Sequence, residues 1–184
     1  MLIEGAIAAW MTLAGPCSSP GMTDIYDGDF RASAFIYFDP ALRIEWCSLK
    51  ALAQQESRLR ADAQSHAGAR GLIQIMPATG RDYGVNPSEL FDAKVNIQVA
   101  ARHVNTLWNF WLSARPLWSR LQLIWASYNA GQGNMFKAQK LCGLPRDWGD
   151  IKVCLPDVTG RHSAETLAYV PGVQKWLDKL REGA

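Results

Sequence analysis

The chain has 184 residues, long enough for one domain with a buried core, and 48% hydrophobic with 20% charged residues excludes a disordered polymer. A net charge of +2 is too weak to indicate a nucleic-acid partner, although it does not oppose an acidic polymer. The four cysteines, Cys17, Cys47, Cys142 and Cys154, lack metal-ligand spacing and the histidines His66, His103 and His162 are scattered, so no metal site is expected.

Residues Leu2–Ala14 are apolar, which invites a signal or membrane-anchor reading. The run has no basic start, is interrupted by Glu4 and is too short to span a bilayer, so a segment packed on the domain is favoured over membrane contact through residues 2–14. Pro20 to Asp29 is turn-rich. The division expected is therefore an N-terminal segment, 1–30, ahead of a globular domain, 31–184.

Leu42, Cys47, Leu49, Leu52 and Ala53 recur with helical spacing behind Pro40, with Asp39 available as N-cap. That helix ends at Gln55-Glu56-Ser57. A polar loop to Arg70 follows, then Gly71-Leu-Ile-Gln-Ile-Met76, read as a small β element around Leu72–Met76. Glycine there lets the backbone approach a ligand closely. Pro77 suits the first turn of a short helix to Tyr83.

Asp92 opens the longest helical pattern, in which Ile97, Ala100, Ala101, Val104, Leu107, Trp108 and Trp111 form one stripe before Arg115-Pro116. A further helix carries Trp118, Leu121, Ile124, Trp125 and Tyr128 and stops before Gly131, and another piece runs from Met135 to Leu141. The last helix carries Leu167, Val170, Val173, Leu177 and Leu180, with Pro171 expected to kink or split it. Most of the eight Trp are expected in the core. Cys142 and Cys154 flank a Gly- and Pro-rich loop; a bridge there would contribute about 3 kcal/mol, and four free thiols are the alternative. The sum is a mainly helical domain.

The run from Gln55 to Thr79, with Ser65-His-Ala-Gly-Ala-Arg-Gly-Leu-Ile-Gln-Ile-Met-Pro-Ala-Thr79, resembles the signature of the soluble lytic transglycosylase family. These are lysozyme-like enzymes that cut bacterial cell-wall glycan. Ile73 stands where Met is usual. Two further family blocks appear as Ala126-Ser-Tyr-Asn-Ala-Gly131 and Glu165-Thr-Leu-Ala-Tyr-Val170. The resemblance implies a mainly α, lysozyme-like α+β domain with its small β element near the active-site cleft, and makes 31–184 a catalytic domain.

It also implies a chemistry. Cleaving a glycosidic bond needs a proton for the leaving oxygen and stabilisation of an oxocarbenium-like centre, and substrate-assisted enzymes manage with one carboxylate. Glu56 is implied to act as acid and then as base on the 6-hydroxyl of N-acetylmuramic acid. The product would be a 1,6-anhydro sugar, with no metal or cofactor. Glu56 must be protonated to donate, so apolar neighbours such as Leu52, Leu59, Ile75 and Met76 are expected, with Arg58 and Arg60 turned outward.

Ser65, Gln74, Met76, Tyr128, Asn129, Glu165 and Tyr169 match family residues that contact substrate. Five of them have a plainer reading: Ser65 as a turn Ser, Gln74 as a satisfied Gln, Met76 as a core Met, Tyr128 as a structural Tyr and Glu165 as a solvated first-turn Glu. Ala100 and His103 depart from the family's usual Gly and Tyr. Ala130-Gly-Gln-Gly-Asn134 lacks the strand and the Lys of a phosphate cradle, so no nucleotide is expected.

The competing readings are a hydrolytic muramidase like the goose-type lysozymes, with Asp62, Asp82 or Asp92 positioning water, and a non-catalytic wall-binding module. A lytic transglycosylase lyase acting on peptidoglycan glycan strands is preferred. It is expected as a monomer in the periplasm or cell wall, as a bacteriolytic endolysin or virion enzyme of bacteriophage or prophage type, or beside a secretion or conjugation apparatus.

Overall fold

The helical periodicity of the sequence is realised through most of the computed structural model, which describes residues 17–38 and 45–183. The Leu2–Ala14 segment and the Asp39–Pro40 helix-start signal lie outside those residues. The described residues fall into two compact units, one drawn from those up to 101 and from 175 onward, the other from Arg102–Gln174.

In the first unit, α1 (Asp27–Tyr37) packs against α2 (Cys47–Ser57). Helix α1 begins inside the stretch read as turn-rich, because Asp27 and Asp29 place negative charge beside the unbonded N–H groups of its first turn. Helix α2 buries Leu49, Leu52 and Ala53, and with them Lys50. The Lys50 ammonium lies 2.7 Å from Asp27 and donates to the Cys17 carbonyl at 3.1 Å. A Cys17–Cys47 disulfide, with Cα atoms 5.4 Å apart, fastens the same two segments. Burial pushes the Asp27 carboxyl above its ordinary value, against the pull of Lys50.

The small β element is narrower than Leu72–Met76. It consists of two single antiparallel bridges, Gln64 with Arg70 and Arg70 with Ile75. Residues 71–74 form a turn because Gly71 and Gln74 take left-handed backbone angles, φ 76° and 48°. Helix α3 (Pro77–Asp82) starts with its proline and packs on a 3-10 turn, Pro87–Phe91, where the Asn86 N–H donates to Glu89 at 2.8 Å. Asp92 caps α4 (Ala93–Phe110) by accepting the Val95 N–H at 2.9 Å.

In the second unit, α5 (Leu117–Ala130) packs against α6 (Gln132–Leu141) and α7 (Trp148–Ile151), and α6 against α8 (Leu155–Thr159). Leu123, Trp125, Met135 and Leu155 are buried, and Trp111 donates its indole N–H to Ser127 at 2.9 Å inside this core. Trp46, Trp108, Trp111, Trp125 and Trp148 are all buried, the role expected of most tryptophans. The second disulfide, Cys142–Cys154, ties the end of α6 to the 3-10 turn Lys152–Cys154 ahead of α8, its Cα atoms 5.8 Å apart. The final helix, α9 (Ser163–Glu182), is continuous through Pro171, so of the expected kink or split the split does not occur, and at 20 residues it is longer than α4 with 18, which corrects the expected ranking. Pro171 is exposed, so water can satisfy the carbonyl that loses its helical N–H.

Candidate functional site

Glu56 sits half-buried on the last turn of α2. The next residue, Ser57, is buried; its hydroxyl donates to the Leu72 carbonyl at 2.6 Å and accepts the Arg60 N–H at 2.9 Å. Arg58 and Leu59 then adopt consecutive left-handed conformations, φ 57° and 61°. Non-glycine residues pay steric energy there, about 1–2 kcal/mol each, so the chain leaves Glu56 by a strained reversal. Arg58 and Arg60 are exposed, and Leu52, Leu59 and Ile75 are buried. Met76 departs from that set: at 42% exposure it is not a core residue.

The loop that follows is clamped by a side chain from α4. Asn96, fully buried, accepts the Ile73 N–H at 2.8 Å and donates to the Arg70 and Leu90 carbonyls at 2.9 and 2.8 Å. A Cβ on Gly71 would collide with the Leu90 carbonyl and the Asn96 amide. This glycine therefore serves close packing within the protein, rather than the approach of a ligand inferred from sequence. Ser65 closes its own turn, accepting the Ala69 N–H at 3.0 Å, and the Gln74 amide donates to the Ala63 and Gly71 carbonyls at 3.1 and 2.9 Å. Both side chains thus have a structural duty. The Gln74 carbonyl oxygen has no partner among the described residues.

The second unit holds the remaining candidates. Tyr128 and Asn129 are half-buried at the end of α5, and the His103 ring lies 5.4 Å from that of Tyr128. Asn129 donates to Glu165 at 3.1 Å and accepts from the Thr166 hydroxyl at 2.6 Å. Asn129, Glu165 and Thr166 border a cleft of about 390 Å³ that also involves Asn134, Thr159 and His162. Glu165 is exposed, whereas Tyr169, one turn further along α9, is buried.

Three polar residues, Ser57, Asn96 and Thr166, were given no role from the sequence, although Ser57 and Thr166 stand inside the quoted motifs. Each stands beside a residue that was noticed, Glu56, Ile97 and Glu165. Nothing local distinguishes a buried hydroxyl or amide from an exposed one.

The described fold is that of lytic transglycosylases. It is similar to the 70 kDa soluble lytic transglycosylase of Escherichia coli, with a TM-score of 0.63 and 23% identity over 88% of this chain and 25% of that one. It is likewise similar to an inactive glutamate-to-glutamine mutant of the lytic transglycosylase Slt of Pseudomonas aeruginosa, with a TM-score of 0.66 and 22% identity over 88% and 25% of the two chains. Residues 34–148 match the family described as the transglycosylase SLT domain. Membrane-bound lytic murein transglycosylase F of Serratia proteamaculans is 34% identical over 133 residues, covering 70% of this chain and 27% of its own length. The protein of that name from Shewanella halifaxensis is 30% identical over 152 residues, covering 74% and 32%. The chain belongs to the transglycosylase SLT domain family, and it spans less than a third of the length of these relatives.

Proposed function

We propose that this chain is a peptidoglycan lytic transglycosylase that cleaves the MurNAc-β-1,4-GlcNAc bond and leaves a 1,6-anhydro-MurNAc end. Membership of the SLT domain family carries this reading. The strained backbone after a half-buried Glu56 supports it, since such strain gathers where function over-determines geometry. In this reading protonated Glu56 donates to the glycosidic oxygen as its bond to the anomeric carbon breaks, and the N-acetyl carbonyl oxygen takes over that carbon. The Glu56 carboxylate then removes the proton of the 6-hydroxyl. That oxygen bonds to the anomeric carbon, displaces the acetamido oxygen and closes the anhydro ring without water.

Ser65, Gln74, Met76, Tyr128, Asn129, Glu165 and Tyr169 are proposed to contact the glycan. Exposure of Met76 and Glu165 and the open carbonyl oxygen of Gln74 favour those three. The hydrolytic alternative has less support: Asp62, Asp82 and Asp92 are exposed, and Asp92 already caps α4. Residues 31–184 are proposed as the catalytic part and 1–30 as a separate N-terminal segment. The two disulfides favour folding in an oxidising compartment, which suits a monomer acting in the periplasm or cell wall. A bacteriophage endolysin and an enzyme serving a secretion apparatus both fit that setting.

Mass spectrometry of muropeptides released from purified peptidoglycan tests the reading. Products one water lighter than reducing sugars, absent with Glu56→Gln, are expected. Ordinary reducing ends would overturn the transglycosylase assignment, and no release would leave a wall-binding module.

A further inference from the structure

The cleft of the second unit is bordered by a chain of three side chains with a defined direction. Ionised Glu165 can only accept hydrogen bonds, so Asn129 must turn its Nδ2 toward it, at 3.1 Å. The Asn129 carbonyl oxygen is then the end that meets Thr166, whose hydroxyl donates at 2.6 Å. Thr166 is buried and Glu165 exposed. As neighbours on α9 their side chains leave the helix about 100° apart. Asn129, arriving from α5, bonds to both.

We propose that Thr166 is a positioning residue, which through Asn129 fixes Glu165 at the edge of the cleft. Without its hydroxyl the Asn129 carbonyl loses its donor, and the side chain is left with a single anchor at the exposed Glu165. Asn129 can then swing to another rotamer and take its Nδ2 with it, which leaves Glu165 unheld at the cleft edge. In the intact relay the second N–H of Asn129 and the second oxygen of Glu165 have no partner among the described residues, so a donor and an acceptor stand together for a hydroxyl- or amide-rich ligand. The proposal rests on Glu165 being a peptidoglycan-binding residue.

The test compares Thr166→Val, Thr166→Ser and Glu165→Ala on purified peptidoglycan. T166V should raise KM by about five-fold with kcat changed less than about two-fold, the signature of one lost binding interaction. T166S should restore KM, and T166V should add nothing in the E165A background. An unchanged KM, or an equal rise in both backgrounds, would overturn the relay. Nuclear magnetic resonance of the Asn129 side-chain amide reads the relay without turnover. E165A should shift that signal in the parent and not in T166V, and equal shifts would overturn the proposal. Should T166V not fold, Asn129→Ala should itself raise KM and leave E165A without further effect; additive rises would overturn it. Coupling seen by resonance in a parent that releases no muropeptides would uphold the relay and discard the peptidoglycan reading.

Discussion

The two units hold their candidate residues by different means. Around Glu56 the clamps run from buried side chains to backbone, Ser57 to Leu72 and Asn96 to Arg70, Ile73 and Leu90. Around Asn129 the bonds run from side chain to side chain, between α5 and α9. A clamp on backbone fixes the path of a whole loop, so its loss is felt as stability. A relay among side chains at a cleft edge fixes only where a few atoms point, and its loss is felt in ligand handling.

The contrast can be broken most sharply at Glu56. Glu56→Gln should lower the release of anhydro-muropeptides by about 10³-fold while moving the melting temperature by less than about 2 °C. A fall in activity that tracked a fall in melting temperature would mean the acid is structural. Next in size is Asn96→Ala, which leaves two carbonyls and one N–H of the loop without their partner. It should cost about 3–5 kcal/mol in thermal or denaturant unfolding, against about 1 kcal/mol for Asn129→Ala. Similar losses at the two asparagines would erase the distinction.

The disulfides sharpen the comparison further. Replacing both cysteines of a bridge by serine should cost about 4 kcal/mol for Cys17–Cys47 and about 3 kcal/mol for Cys142–Cys154, because the longer loop gains more freedom when opened. Calorimetry of the two paired variants would reveal the order. The smallest effect is expected at Asp27, whose carboxyl holds its proton more readily folded than unfolded. Its contribution to stability is then complete below its unfolded value of 3.8 and lost as pH rises through the higher folded value. The stability gap between the parent and Asp27→Asn should therefore narrow as pH rises through the carboxylate range. A gap that widened would show that pairing with Lys50 outweighs burial.

Much of the helical layout was legible because apolar spacing and punctuation agreed. Pro77 starts α3, Asp92 caps α4, and Gly131 ends α5 with a φ of 85°. Helix α1 was missed as a whole because turn-forming residues mask its start, and a buried Lys50 gives no apolar signal on α2. The Leu72–Met76 run looked like a strand because Ile favours extended backbone, yet Gly71 and Gln74 fold it into a turn. Val170, Val173, Leu177 and Leu180 of α9 are buried as their spacing foretold, and the helix runs on through Pro171 without a split.

By itself the sequence determined the class of fold, the order of helices α2 to α6 and α9, and the motif that bears Glu56, since periodicity and short motifs are local properties of a chain. Only the tertiary structure decided which polar groups are buried and what they hold. Asn96 and Thr166 meet partners on other segments, 23 and 37 residues away in the case of Ile73 and Asn129, and no local pattern records a contact of that separation. It also decided that Gly71 faces Leu90 and Asn96, and that Cys17 meets Cys47, because a close approach and a cystine both depend on where distant backbone has come to rest.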